Sequence, residues 1–186
     1  MVALSLTACT NSTKKVEPEI VPTHLPVIDF IKEDIKQVDS FAGGILLRTE
    51  GYPKNDSAFI RPEDFKKLAG EFFLPELDSS VFNTQFSETS LMDETTQMLN
   101  FIYLAKNSST TLRKVIVYVS PSLSTDKVSR IYMEKEYKNA DATISLKLTW
   151  KLRHYLIITE IAQTSGGKST TRTRKAIWDP QQFSDK

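Results

Sequence analysis

The chain holds one cysteine and two histidines among 186 residues. A lone thiol forms no intrachain disulfide and builds no multi-cysteine metal site. His24 and His154 lack the spacing of a zinc motif, so no metal is expected. No run approaches the ~18 consecutive apolar residues of a membrane-spanning helix. Glycine is scarce at six residues. No sign of charge dominates, because the net charge is only +1.

The aromatic content is ample, with ten Phe, six Tyr and two Trp, so the chain is not globally disordered. The charge is unevenly spread. Residues 29–94 carry 14 acidic and 7 basic side chains, and residues 95–186 carry 7 acidic and 15 basic. Such asymmetry arises when two halves of one fold meet face to face, or when an outer surface is cationic. The first arrangement is the expected one.

The single cysteine sits in Leu6-Thr7-Ala8-Cys9, which reads as a lipobox. Small residues at Thr7 and Ala8 fit a narrow signal-peptidase cleft, and the Cys9 thiol takes the lipid. Residues 1–9 then read as a signal-peptide remnant. A secretory signal has a basic segment and an apolar stretch of roughly 7–15 residues. Only Met1–Ala8 precede Cys9, with no Lys or Arg, so the expected start lies upstream or the record is trimmed. Residues 10–26 are polar and broken by Pro18, Pro22 and Pro26, the composition of a flexible tether. The chain is expected to be anchored to a membrane through lipid rather than to span it.

Residues 27–186 are long enough for one domain with a real core. Pro26 suits the first turn of a helix. Val27, Ile31, Ile35 and Val38 recur at helical spacing, with Lys32, Glu33, Lys36 and Gln37 off that face, which predicts a helix over 27–41. Residues 45–49 read as a short strand and residues 51–57 as a loop. Arg61-Pro62-Glu63-Asp64 opens a second helix with acids at its positive end. Its apolar stripe is Phe65, Leu68, Ala69, Phe72 and Phe73, and Pro75 stops it. Residues 79–93 are ambiguous between helix and strand.

The second half is rich in strand signals, over 96–105, 112–119, 128–137, 143–152, 155–163 and 170–178. Ile144, Leu146, Leu148, Trp150 and Leu152 alternate with Thr143, Ser145, Lys147, Thr149 and Lys151. That period of two means one buried face and one wet face. Short links at 139–141, 153–154 and 165–168 predict an antiparallel meander. The expected fold class is α+β: N-terminal helices packed on a curved antiparallel sheet. Cystatin-like and nuclear-transport-factor-like cones share this element order, an analogy that carries no function.

The segments VIDFIKEDIKQVDS (27–40), DSAFIRPEDFKKLAGEFFLPELDSS (56–80), SETSLMDETTQMLNFIY (87–103), SRIYMEKEY (129–137), LTWKLRHYLIIT (148–159) and AIWD (176–179) resemble a family of lipoproteins of Bacteroidota. The resemblance covers nearly all of residues 27–186, and its motifs are diffuse rather than catalytic. It implies a lipoprotein address and a single domain, and no activity. In that phylum an acidic cluster after the lipidated cysteine favours export to the cell surface. Thr10-Asn11-Ser12-Thr13-Lys14-Lys15 is not acidic. The departure points to an outer-membrane lipoprotein facing the periplasm.

Chemical motifs are few. Gly166-Gly167-Lys168-Ser169 resembles the tail of a phosphate-binding loop, but Ala162 stands where the first glycine belongs. A strand composition follows Lys168, not the helix whose N–H groups hold phosphate. A glycine hairpin turn is expected, with no nucleotide and no cofactor. Glu134 and Glu136 share one strand face, which places two acids about 7 Å apart, within glycosidase-type geometry. A solvated face is the plainer alternative. A Ser-His-Asp site on His154 needs distant partners that a sequence does not display. Lys151, Arg153, Arg172, Arg174 and Trp178 form a candidate cation–aromatic strip, suited to an anionic glycan, a lipid head group or an acidic protein patch. A charge-protected edge strand is the bland alternative. An exported protein has no use for nucleic acid. The expected function is a lipid-anchored envelope binding module without its own catalysis, its partner an envelope protein or glycan held in a concave sheet. The alternatives are an envelope glycan hydrolase acting through paired carboxylates and a purely structural lipoprotein.

Overall fold

The computed structural model describes residues 25–40, 43–120 and 127–183. Cys9, the lipobox, His24 and nearly all of the tether lie outside these residues.

Helix α1 runs Val27–Ser40, one residue short of expectation. Val27, Ile31 and Val38 are buried and Ile35 is half-buried. Asp34 is buried on the same side, at 2% exposure. Helix α2 spans Pro62–Ala69, with Pro62 at its start and Glu63 and Asp64 in its first turn. These acids oppose the positive helix end. Phe65, Leu68 and Ala69 are buried, and a 3₁₀ turn Gly70–Phe72 adds Phe72 to the core.

Residues 79–93 resolve into helix α3, Ser79–Gln85, and strand β3, Phe86–Asp93. Asp78 caps α3: its Oδ1 accepts from Ser80 N at 2.9 Å and from Ser80 Oγ at 2.6 Å. The Ser80 hydroxyl bond holds the Asp78 carboxyl below its ordinary value.

Strands β1 (Ile45–Gly51) and β2 (Asp56–Ile60) precede α2. After β3 come β4 (Met98–Ala105), β5 (Leu112–Ser120), β6 (Lys127–Lys138), β7 (Ala142–Lys151), β8 (Tyr155–Thr164) and β9 (Ser169–Ile177). They form one sheet in the order β2-β1-β9-β8-β7-β6-β5-β4-β3. Every pairing is antiparallel. The meander over β4–β9 matches the expectation, and the class is α+β. Strand β2 was expected to be loop over its first two residues, and the β1–β2 hairpin closes onto β9 rather than onto β4. Gly51 permits that closure. Its φ is +94°, and a Cβ there would lie 2.2 Å from the Thr171 carbonyl oxygen of β9.

Alternation along β7 is realised. Ile144, Leu146, Leu148 and Trp150 are buried, and Lys147 is exposed. Register carries this inner face across the sheet: Leu148 faces Met133 and Ile158, and Trp150 faces Ile131 and Leu156. All six are at 0% exposure. Trp150 is ringed edge-on by Phe72 at 5.1 Å and Phe65 at 6.1 Å, with Trp178 tilted at 5.5 Å. Such pairs each add about 0.5–1.5 kcal/mol beyond area burial. The helices and the inner face are therefore welded by aromatic packing. Buried side chains fill the space between these helices and the inner face of the sheet.

The two charged halves meet through apolar packing rather than through paired charges. Of the seven ion pairs among the described residues, only Lys135–Glu71 (3.1 Å) joins them.

Candidate functional site on the open face of the sheet

The outer face of β4–β8 carries no helix-side core residues, and its composition is mixed. Register sets Tyr118 of β5 opposite Arg130 of β6, Arg130 opposite Lys151 of β7, and Lys151 opposite Tyr155 of β8. One row across four strands thus reads Tyr, Arg, Lys, Tyr. Opposed side chains in such a row start about 5 Å apart at Cβ.

Both tyrosines hold a cation. The Arg130 guanidinium lies 3.9 Å over the Tyr118 ring, and Lys175 Nζ lies 4.6 Å over the Tyr155 ring. Each contact is worth roughly 0.5–2 kcal/mol, depending on desolvation. Lys151 sits between two such pairs. Partial burial pushes its ammonium below the ordinary lysine value, and neighbouring Arg130 pushes it further. Among the described residues, no carboxylate lies within ion-pair distance of Arg130, Lys151 or Lys175. Like charges directly opposite on a sheet are destabilising. The arrangement attracts an anion.

The strip read from the sequence is split by the fold. Lys151 stands on this outer face. Arg153 lies at the tip of the β7–β8 turn, exposed, with φ +69°. Arg172 and Arg174 point the other way, because they share the parity of Ala176 and Trp178. Trp178 is buried, packed 5.3 Å from Phe65, and reaches the surface as part of a groove wall beside Arg153. Arg174 Nε is buried without a partner. What the sequence reading missed is Tyr118, Arg130 and Tyr155. They come from three strands, and only register assembles them.

The paired carboxylates also stand on the outer face, further along the strands. Glu134 accepts from the Tyr132 hydroxyl at 2.8 Å and lies 4.0 Å from Lys114 Nζ. Glu136 is paired with Arg113 at 3.3 Å. Both are satisfied on an open surface, where water is not excluded, so the geometry of a glycosidase cleft is missing.

A second constellation surrounds the β7–β8 turn. Asp34 of α1 accepts from Trp150 Nε1 at 2.7 Å and from Arg153 N at 3.0 Å. Burial raises the Asp34 carboxyl above its ordinary value, and these bonds partly offset it. The same buried carboxylate thereby pins α1 to the sheet and holds Arg153 in its left-handed conformation. His154 Nδ1–H donates to Asp179 Oδ2 at 2.6 Å. That bond holds Asp179 below the ordinary carboxyl value. Among the described residues no hydroxyl is hydrogen-bonded to the other ring nitrogen. Grooves of about 230 Å³ and about 180 Å³ flank Arg153, the first lined by Phe30, Glu33 and Asp34, the second by Val38, Trp178 and Asp179. Both are smaller than the ~300–1,000 Å³ of a typical small-molecule site.

Gly166 and Gly167 form the β8–β9 hairpin turn, with Gly167 at φ +79°, and Lys168 leads into a strand. Among the described residues there is no group of three potential metal ligands. No helix among them is long and apolar enough to cross a membrane. In comparisons with protein-family models, with curated proteins and with solved structures, nothing matches this chain.

Proposed function

We propose that this chain is a lipid-anchored, non-catalytic binding module of the cell envelope that takes an anionic partner on the open face of its sheet. The lipobox at Cys9, the proline-broken tether and the resemblance to lipoproteins of Bacteroidota supply the address. An outer-membrane, periplasm-facing location belongs to the same reading. One observation carries the binding function: Arg130 and Lys151 oppose each other in register with no acid between them. A surface selected only for solubility would interleave opposite charges there, as Lys114 and Glu134 do nearby.

The curved cone of cystatin-like or nuclear-transport-factor-like proteins stays an analogy of element order. Its ligand-holding interior has no counterpart here, since Trp150, Phe65 and Phe72 occupy that space. The filled core favours a second reading, a purely structural envelope lipoprotein. The two readings part on the open face, because a structural protein needs no like-charged pair there.

The test uses the full chain with Cys9→Ala, passed over an immobilised polyanion at low salt. Retention that falls at least tenfold in Arg130→Glu/Lys151→Glu is expected. Equal retention of both proteins rejects the anionic partner and leaves the structural reading. Fatty-acid labelling of wild type and Cys9→Ala tests the address separately, and equal labelling rejects it.

A further inference from the structure

We infer that the anionic partner of the open face is a phospholipid membrane surface, so that the sheet itself lies against the bilayer. This rests on the binding function proposed above, and it names the occupant.

The patch is spread out rather than linear. Arg130 and Lys151 are on adjacent strands, and Lys175 of β9 lies two strands beyond β7, one register row along. With strands ~4.8 Å apart, these cations cover about 15 Å across the sheet. They stand on a pleated face, not in a cleft. Three cations spread in this way complement an array of anionic head groups, with the acids Glu134 and Glu136 lying further along the strands.

The neighbouring side chains suit an interface. Ile102 and Ile116 are opposed in register, Ile116 faces Tyr132, and Ile157 lies beyond Thr149 in the same row. All four of these apolar or aromatic residues are half-buried rather than covered. Tyrosine is a preferred residue of membrane–water interfaces, with its ring at head-group depth. Cations with apolar stems beside such rings extend toward phosphate.

A glycan fits less well. Sugars stack on exposed aromatic faces, but the Tyr118 and Tyr155 rings each already carry a cation on one face. Partial burial, and after it the neighbouring Arg130, holds the Lys151 ammonium below its ordinary value.

Membrane contact by the sheet has a physical use. A single acyl chain binds reversibly, and a polybasic surface is one of the second signals that makes such binding stable. It also orients the domain: the helices point away from the bilayer, and the grooves beside Arg153 sit at the rim.

The experiment uses the full chain with Cys9→Ala, so that no acyl group contributes. Co-sedimentation is measured with vesicles of 30% phosphatidylglycerol in phosphatidylcholine and with pure phosphatidylcholine, at low and high salt. The expected result is at least tenfold tighter partition onto the anionic vesicles, weakened by salt. Arg130→Glu/Lys151→Glu abolishes the preference, and Lys175→Glu, a milder change, reduces it severalfold. Arg172→Glu, exposed on the opposite face, leaves it unchanged. Circular dichroism confirms that each variant is folded. Equal binding to both vesicle types overturns the membrane occupant. So does tighter binding to soluble polygalacturonate than to vesicles at equal charge; in that case the anionic-partner function stands and its occupant is a glycan. If neither polyanion nor vesicle is bound, both the function and the occupant fail.

Discussion

The two faces of the sheet are made by the same strands and obey different rules. On the inner face, Met133, Leu148 and Ile158 stand in one register row at 0% exposure. One residue along the same strands, on the outer face, Tyr132, Thr149 and Ile157 are only half-buried. The inner row is determined by folding: any volume change there is felt through tight packing. The outer row is under no such constraint. Whatever is unusual on it, such as Arg130 opposite Lys151, is therefore more informative about binding than anything in the core.

The sharpest way to break this comparison is to put a charge on the inner face. Leu148→Lys buries an ammonium among Met133, Ile158 and the Trp150 cluster. The expected cost is roughly 4 kcal/mol or more, since an unpaired buried charge is among the most destabilising single changes. Urea melts of the Cys9→Ala background measure it. A variant that melts like its parent would show that the two faces are not distinct.

Asp34→Ala comes next. It leaves the Trp150 indole N–H and the Arg153 N–H without their acceptor inside the protein. The expected loss is about 2–3 kcal/mol, the scale of a buried bond to a charged group. The melts should show it together with a change in tryptophan fluorescence, because the Trp150 indole N–H loses the Asp34 acceptor. A loss under about 0.5 kcal/mol would mean that water replaces the carboxylate and that α1 is held by apolar contact alone.

Much of this architecture was legible in advance, and the gaps have physical causes. Helices α1 and α2 and strands β4–β9 follow from periodicity, because each buries one face. Strand β2 was hidden because four of its five residues are exposed, so DSAFI shows no alternation. Strand β3 was ambiguous for the same reason: only Phe86 in it is buried. Asp34 escaped notice because a carboxylate on a buried stripe reads as a break in that stripe. Its position three residues after Ile31 and four before Val38 is the signal that places it inward. The fold divides the candidate strip between the two faces of the sheet. Parity along β9 groups Arg172 and Arg174 with Trp178, and Trp178 is core. The residues that do surround Lys151 lie on β5, β6 and β8, 21 to 33 positions before it or just after the turn in the chain, and register alone brings them together.

Asp34 also sharpens the comparison through pH. Burial raises its carboxyl above the ordinary 3.8, so the folded protein holds this proton more tightly than the unfolded chain. Ionised Asp34 therefore costs stability above its folded value, and that cost disappears below 3.8. Asp78 and Asp179 act in the opposite sense. Their lowered values contribute stability above 3.8 that is lost as pH falls through the folded values. Asp34→Asn removes only the first effect. Its stability relative to wild type is expected to fall as pH drops from about 7 toward about 4, where wild type regains what ionisation cost it. A difference that stays constant over this window shows that Asp34 is not held in a desolvated site.

The smallest effects belong to the outer face, and they test whether its charges serve the fold. Lys147 is exposed and faces Glu134 across β6–β7. Lys147→Ala is expected within about 0.5 kcal/mol of neutral, as for most surface changes. Lys151 is half-buried and faces Arg130, so Lys151→Ala loses some stem packing but relieves a like-charge contact. Its expected effect is also near zero, and shifted toward stabilisation at low salt. Screening should erase that shift by about 0.5 M salt, where the Debye length is only a few Å. Paired melts of the two variants at both salt concentrations separate the contributions. If Lys151→Ala costs more than about 1 kcal/mol at either, the lysine is a prop of the sheet, its position opposite Arg130 follows from packing, and the open face loses its claim to be a binding surface.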